Sequence, residues 1–262
     1  MCVPLIRNLG VRYLIIFMLG MLLLTSAGDA QASQLSQALE EQVIQIIRDH
    51  PEVILESVEQ YRIRQQQEAQ KVQYELLQAI NKDPQDFIKQ SPIQGQIDSK
   101  VLLIEFSDFQ CPYCASVHET LQNFVMKHPD EIALVYKHYP LAKIHPEARS
   151  AAMAAWAAQQ QNKFWEYQDF LFAHQDKLGE SLYLQAAESL ELDLQQFDQD
   201  RQSQAAMTTI QQDMALAEKL GISGTPFFMM NTTTFSGTVE EAFLENKLNE
   251  FVKIPNSTDK QG

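Results

Sequence analysis

The chain has 262 residues, a formal charge of −14 and a hydrophobic content of 45%. This length leaves room for one large domain with an extension, and the composition is sufficient for a sizeable core. The acidic balance excludes nucleic acid as an expected partner, because a phosphate backbone would be repelled.

Residues 1–32 have the pattern of a secretory signal peptide. A basic start is followed by an apolar run from Tyr13 to Leu24 and by small residues around Ala32. The apolar run is short for a membrane span, and an uncleaved anchor is the alternative. We therefore expect cleavage after Ala32 and export to the periplasm, a compartment in which disulfides persist.

Residues 33–92 are predicted to form a helical extension. Apolar residues recur at spacings of three and four in two stretches, which are separated by Pro51. The second stretch, from about Glu52 to Ile80, has an apolar seam that falls short of a strict heptad. This seam must be buried against another subunit or against a domain of its own. We expect a homo-oligomer, a dimer or trimer, formed through residues 33–80.

The rest of the chain predicts an α/β core that a helical insertion divides. Residues 81–100 have the composition of a linker that can hold a short strand. Turns are expected near Asn162, Gly179 and Asp193, and the tail at 253–262 is expected to be disordered. The predicted elements are, in chain order, a strand (101–106), a helix (112–128), a strand (132–136), the helical insertion (about 145–215), a strand (226–230), a return strand from Phe235 and a final helix (239–251).

Cys111 and Cys114 form a C-x-x-C pair and are the two cysteines that follow the predicted cleavage position. Such a pair closes almost no loop and adds little to stability through chain entropy, so its value must lie in chemistry. Cys111 lies where a strand ends and a helix begins, and a helix N-terminus favours a thiolate. Proline is tolerated at the next position, Pro112, because the first turn of a helix has free N–H groups.

These positions predict that Cys111 is the exposed nucleophile and that Cys114 is the buried resolving thiol. A purely structural pair is the alternative. No second cysteine pair or matching histidine pair accompanies the motif, so we expect no metal site and no cofactor. His118, His138 and His145 are weaker candidates for a functional role, and His118 is expected to be exposed to solvent.

Two motifs carry a resemblance to a known family. The segment Phe106-Ser107-Asp108-Phe109-Gln110-Cys111-Pro112-Tyr113-Cys114 resembles the active-site segment of DsbA-like thioredoxin-fold proteins, and Gly224-Thr225-Pro226-Phe227 resembles their cis-proline loop. The second motif lies where the family places it, after the insertion and before a strand. The resemblance implies a thioredoxin fold with an inserted all-helical subdomain over residues 93–252, preceded by the helical extension.

The same resemblance implies roles for several residues. Pro226 is expected to be cis, preceded by Thr225, in a loop that lies against the cysteines and offers its backbone to an extended substrate peptide. Glu105 matches the family's buried acid beneath the resolving Cys114, where a raised pKa suits a proton relay. An ordinary acid at a strand edge is the alternative for Glu105.

The dipeptide between the cysteines is Pro112-Tyr113. Many strongly oxidising DsbA proteins have a histidine there, whereas Tyr113 offers an aromatic surface without a cation. We therefore expect a less acidic Cys111 and a less oxidising disulfide. The combination with Thr225 is similar to that of the ScsC and DsbG type, which favours isomerase or reductase work.

The sequence thus predicts an exported thiol–disulfide oxidoreductase that acts on envelope or secreted proteins, as isomerase, oxidase or both. A membrane redox protein is the expected partner. Two alternatives are a monomeric dithiol oxidase and a non-catalytic envelope or surface binding protein on the same fold.

Overall fold

The computed structural model describes residues 39–252, except for the side chains of Asn81 and Asp86. The predicted signal peptide and the predicted tail lie outside these residues. The chain divides into two compact units, with the boundary in sequence after Gln67. No helix within residues 39–252 combines the length and the apolar character needed to cross a membrane.

The described part of the first unit is helical. Helix α1 covers residues 39–49, and helix α2 (Pro51–Lys82) begins after a break at His50, as the proline predicts. The large apolar side chains in this part of the chain are exposed, among them Ile46 at 61% and Val58 at 52%. The described part of the first unit therefore leaves these apolar side chains exposed.

The second unit contains a five-stranded sheet and a block of helices. After the C-terminal part of α2, its elements are α3 (Gln85–Ile88), β1 (Ile93–Gln94), β2 (Val101–Ser107), α4 (Pro112–Lys127), β3 (Ile132–His138), α5 (Ala148–Gln160), α6 (Phe164–Ala173), a 3-10 turn (Gln175–Lys177), α7 (Glu180–Ser189), α8 (Leu194–Arg201), α9 (Gln204–Lys219), β4 (Phe227–Met230), β5 (Thr233–Ser236) and α10 (Glu241–Val252). This is the predicted α/β thioredoxin fold with a helical insertion.

The sheet has the strand order β1-β3-β2-β4-β5. The central strands β2 and β3 are parallel, and the other pairs are antiparallel. A strand covered on both faces needs a nearly continuous apolar sequence, and every residue of β3 is buried. The register of the central pair sets Glu105 beside Tyr136 and Ser107 beside His138.

Helices cover both faces of this sheet. On one face, Val117 and Leu121 of α4 share a core with Leu103 of β2, and α10 contributes Leu244 and Leu248. On the other face, Ile104 and Val135 pack with residues of α9 and with Ile80 of α2. The aromatic residues Phe164, Trp165, Phe170 and Phe172 of the insertion and its buried alanines pack in one core cluster with Tyr136 of β3 and both cysteines.

The C-terminal end of α2 belongs to this packing. Ile80 is 2% exposed and Ile88 is 1% exposed, and both lie in the core on the second face of the sheet. The Gln73 side-chain amide donates a hydrogen bond to the carbonyl oxygen of Leu220 at 2.9 Å. The second unit therefore begins at Glu68 and includes part of the segment that the sequence assigns to the extension.

The insertion differs in two details from the sequence prediction. The expected turns at Asn162, Gly179 and Asp193 are present, but another break follows Arg201. It arises because the Ser203 hydroxyl caps α9 by accepting a hydrogen bond from the backbone N–H of Ala206. The last helix also runs to Lys219, beyond the predicted end of the insertion near 215.

Candidate active site

Cys111 is the N-cap residue of α4, and Pro112 follows in the first turn. The carbonyl oxygen of Cys111 accepts hydrogen bonds from the backbone N–H groups of Cys114 and Ala115. Its Sγ donates to the carbonyl oxygen of Thr225 at 3.3 Å. The Thr225–Pro226 bond is cis, and this loop lies against the cysteine, as the sequence predicts.

The thiol of Cys111 is strongly acidified. A hydrogen bond with the Cys114 thiol lowers its pKa to about 5, with further help from Thr225 and from helix N–H groups and against the opposing effect of burial. Cys111 is only 4% exposed, so the expectation of an exposed nucleophile is wrong. The Thr225 loop packs against its sulfur, whereas the neighbouring Tyr113 is 62% exposed.

Cys114 has the opposite character. It is fully buried, and burial raises its pKa well above the ordinary thiol value. The hydrogen bond with Cys111 and the negative charge of Glu105 raise it further. Both cysteines are free thiols in this structure. The site therefore contains one sulfur that ionises readily and one that must lose its proton inside the protein core before it can react.

Glu105 lies in the central strand β2 and is 1% exposed. Burial raises its pKa to about 7, and the Ser107 hydroxyl opposes this in part. The position is that of a buried acid in the middle of the sheet, so the alternative of an acid at a strand edge is excluded. The negative charge of Glu105 acts on Cys114, which places the two groups in one electrostatic unit.

Asp108 fixes the loop that leads to Cys111. One of its carboxylate oxygens accepts the backbone N–H of Gln110 at 2.8 Å, and the other accepts the backbone N–H of Leu141 at 2.8 Å. The second oxygen also lies 2.8 Å from Nδ1 of His145, which gives that histidine a structural partner. An aspartate whose side chain accepts the backbone N–H two residues later forms a local turn, and such a turn can be recognised in the sequence.

Gln175 ties the insertion to the active-site helix. Its side-chain amide donates to the carbonyl oxygens of Phe109 at 2.8 Å and of Cys111 at 2.9 Å. The sequence alone does not predict this contact, because the residues lie 64 positions apart and no local pattern marks them. The helical insertion therefore holds the N-terminus of α4 directly.

The other two candidate histidines, His118 and His138, are not exposed. The side chain of His118 is only 13% exposed, and its Nε2 lies 2.7 Å from Asp169, so the expectation of a solvent-exposed histidine is wrong. The ring packs on Phe172 of the insertion, which explains its burial. His138 is 1% exposed, and burial lowers its pKa to about 3.

A pocket of about 270 Å³ borders the cis-proline loop and is lined by residues that include Ile222, Thr225, Pro226 and Gly237. A larger groove of about 820 Å³ contains the buried ion pair of Lys137 with Asp213. The larger groove includes none of the predicted site residues. The smaller pocket adjoins the loop that contacts Cys111, so it is the one relevant to thiol chemistry.

Comparisons with known proteins agree with this architecture. A family model described as Thioredoxin matches residues 88–250. A thioredoxin-like oxidoreductase from Silicibacter pomeroyi DSS-3 is similar in structure, with a TM-score of 0.58 and 32% identity over 62% of this chain and 92% of that chain. ScsC of Proteus mirabilis in a transitional conformation has a TM-score of 0.59 at 23% identity, covering 82% of this chain and 97% of that chain, and this likeness concerns the fold.

The curated relatives are larger proteins. A Na(+)/H(+) antiporter NhaA 3 from Salinispora tropica is 37% identical over 139 residues, which is 53% of this chain and 21% of the antiporter. The chain thus spans about a fifth of the length of this relative, and the similarity concerns one segment of it.

Proposed function

Because the chain belongs to the thioredoxin family, we propose that it exchanges disulfides with protein substrates through Cys111 and Cys114. One observation carries this proposal. Two free thiols of opposite acidity lie one turn apart at the start of α4, with the sulfur of Cys111 against the Thr225 carbonyl. A structural cysteine pair needs no such difference in acidity, whereas a redox pair depends on it.

The reaction begins with the Cys111 thiolate. It attacks one sulfur of a substrate disulfide, forms a mixed disulfide and expels the other substrate sulfur as a thiolate. Cys114 then loses its proton and attacks Sγ of Cys111, which breaks the mixed disulfide and releases the second substrate sulfur. The substrate gains two electrons, and the protein is left with a Cys111–Cys114 disulfide. Run backwards, the same steps oxidise a substrate dithiol.

Glu105 is the group that receives the proton of Cys114. With a pKa of about 7 it is available as a base and as an acid near neutral pH, which suits a relay in both directions. It is also the carboxylate whose charge acts on Cys114. In the oxidising direction, protonated Glu105 returns the proton to Cys114 as this sulfur leaves.

The substrate contacts are Pro112, Tyr113, Thr225 and Pro226. Pro112 and Tyr113 are exposed beside the buried sulfurs and offer an apolar and aromatic surface to a peptide. Thr225 and Pro226 line the pocket next to Cys111. An extended peptide with a cysteine over Cys111 would run between these two surfaces.

The exposed helices of the first unit favour an oligomer. Most of the exposed large apolar side chains of the described residues lie between Leu39 and Tyr74. We propose that a second copy of the chain covers this surface, because exposing an apolar surface of this kind to water is unfavourable. A dimer or trimer through residues 33–80 would hold several active sites together and favour isomerisation over simple oxidation. A monomeric dithiol oxidase is the alternative.

The compartment follows from the sequence pattern at residues 1–32. A signal peptide would bring the protein to the periplasm, where its substrates would be envelope or secreted proteins with thiols or disulfides. A membrane redox protein would restore its redox state after each cycle. A non-catalytic binding protein on this fold is disfavoured, because binding alone needs neither an acidic Cys111 nor a buried Glu105.

Replacement of the resolving thiol tests the redox function. Cys114→Ala should accumulate mixed disulfides with substrate proteins through Cys111, because the second step is blocked. Cys111→Ala should form none, since the buried Cys114 does not react with an incoming disulfide. The adducts are counted on non-reducing gels and by mass spectrometry with a reduced and a scrambled disulfide protein as substrates. Equal trapping by both variants, or none by Cys114→Ala, would contradict the proposed function.

A further inference from the structure

Four polar side chains form a buried row on the sheet face beneath α4. Glu105 and Ser107 of β2 are directly paired with Tyr136 and His138 of β3, and residues two apart on a strand share a face. Each of the four is at most 1% exposed. Cys114 packs in the same core cluster as Tyr136, so the row lies next to the resolving thiol.

Most of the polar atoms in this row have no hydrogen-bond partner within the described residues. They are Oε1 of Glu105, Oγ of Ser107, the Tyr136 hydroxyl and both ring nitrogens of His138. Buried polar atoms are almost always paired in native proteins, because leaving them unpaired costs stability. Five of the eleven such side-chain atoms recorded in the described residues lie in this row, next to the reacting thiol, whereas the other six are scattered over six residues.

Ser107 lies on the same face of β2 as Glu105, two residues further along the strand. Its hydroxyl lies close enough to lower the pKa values of Glu105, Cys114 and Tyr136, yet it makes no direct hydrogen bond among the described residues. A serine hydroxyl both accepts and donates, and its proton can rotate between neighbours. It is thus suited to connect a thiol that must lose a proton with a carboxylate that must gain one.

We propose that the Ser107 hydroxyl carries the proton between Cys114 and Glu105. This inference rests on the proposed redox function and adds a residue to it. The Cys114 thiol gives its proton to Oγ of Ser107, whose own proton passes to the Glu105 carboxylate. The Cys114 thiolate then attacks Sγ of Cys111, the bond between them forms, and the substrate sulfur leaves with the electron pair of the broken bond.

The other groups around Ser107 are less suited to this task. Burial keeps His138 neutral at physiological pH by lowering its pKa to about 3, with the charge of Lys137 adding to the effect. Asp108 is committed to backbone N–H groups and to His145. The titratable groups that face the row are Cys111 and Cys114 of α4, Glu105 and Asp108 from the Ser107 strand and its loop, and Tyr136 and His138 of β3.

A two-step thiol titration tests the proposal in the full chain. Reduced protein is mixed with the chromogenic disulfide dithiobis(nitrobenzoate), which releases one coloured thiolate when Cys111 attacks and a second when Cys114 resolves the adduct. In the wild type, the rate of the second release should rise with pH through about 7, where Glu105 becomes a base. Ser107→Ala should slow the second release by about tenfold or more, because the proton then has no hydroxyl to carry it from Cys114 to Glu105.

The pH profile and the controls separate a relay from a merely structural role. In Ser107→Ala, the pH at which the second release accelerates should move upward, because the hydroxyl that lowers the pKa of Glu105 is gone. The first release should keep its rate. Ser107→Thr should restore both the rate and the profile, and Ser189→Ala, which removes a hydroxyl that bonds only to Ala186 in its own helix, should match the wild type.

Two results would overturn the inference. A second release with wild-type rate and profile in Ser107→Ala would show that the hydroxyl is not in the route. If thermal unfolding shows that Ser107→Ala does not fold, Ser107→Gly, which also lacks the hydroxyl, replaces it, and an unchanged second release in that variant would have the same meaning. A wild-type protein that releases only one thiolate would instead refute the redox function itself, and the inference with it.

Discussion

Glu105 and Cys111 change their pKa values in opposite directions on folding. In the reduced protein, folded Glu105 keeps a proton up to about pH 7 that the unfolded chain has released, so stability falls as pH rises from the ordinary carboxyl range to about 7. Folded Cys111 has released a proton above about pH 5 that the unfolded chain still binds, so stability rises with pH from there to the ordinary thiol range. The two effects oppose each other between pH 5 and 7.

Removing one of the two groups should expose the effect of the other. Glu105 makes the reduced wild type less stable as the pH rises from 5 to 8, and Glu105→Gln removes this effect. The stability of reduced Glu105→Gln relative to the wild type should therefore be higher at pH 8 than at pH 5 by about 3 kcal/mol, since one pKa unit corresponds to about 1.4 kcal/mol. Urea denaturation at both pH values measures this difference. Glu119→Gln, at an exposed position of α4, should keep the wild-type pH dependence. An identical pH dependence in Glu105→Gln and the wild type would mean that Glu105 is not buried as an acid.

Among the individual site residues, the sequence predicts those that lie in local motifs. Cys111, Cys114 and Thr225 with its cis-proline are found because the motifs are short and contiguous. The exposure of Cys111 is misjudged, since a loop far along the chain covers its sulfur. Gln175 is missed for the same reason, because its contacts come from tertiary packing.

Among the elements, α2 has two ends with different surroundings. Its N-terminal part carries exposed apolar residues such as Ile54 and Val58, whereas Ile80 near its C-terminus lies in the core of the second unit. The sequence pattern predicts one continuous seam, because periodicity reports which residues are apolar and not which surface covers them. The strands are predicted well, since continuous apolar runs such as that of β2 need cover on both faces.

Deleting the same side chain at a buried and at an exposed position tests this packing. Ile80→Ala, at 2% exposure, should destabilise the protein by about 2–4 kcal/mol through lost burial and a residual cavity. Ile144→Ala, at 70% exposure, should change stability by less than about 0.5 kcal/mol. Chemical denaturation of both variants measures the two values. A small effect of Ile80→Ala would mean that the end of α2 is not part of the core.

For the whole molecule, we propose that a second copy covers the exposed helices of the first unit. If residues 33–80 bind a second copy, the protein without its signal should sediment as a dimer or trimer. A chain that starts at Glu68 should be monomeric and folded, since it keeps Ile80 and Ile88 and loses most of the exposed apolar residues. It should lose isomerase activity on a scrambled disulfide protein while keeping dithiol oxidase activity. A single active site has no neighbouring site that holds the substrate while its disulfides rearrange.

A point substitution gives the same test without shortening the chain. Val58→Asp places a charge on the exposed apolar surface and should dissociate the oligomer, whereas Ile144→Asp should not. A monomeric wild-type protein would contradict the oligomer proposal. Isomerase activity that survives dissociation would mean that assembly serves another purpose. The sequence predicts the presence of this surface, but its partner depends on contacts between chains, which periodicity does not encode.

The helical insertion also sets the order in which the active site is completed. Cys111 and the Thr225 carbonyl that it contacts are separated by 114 residues. At a synthesis rate of about 5–20 residues per second, Cys111 is made on the order of ten seconds before its partner loop exists. During that interval the two sulfurs are present without the carbonyl and the Gln175 clamp that position Cys111. The nascent chain therefore carries a dithiol before the contacts that position Cys111 have formed.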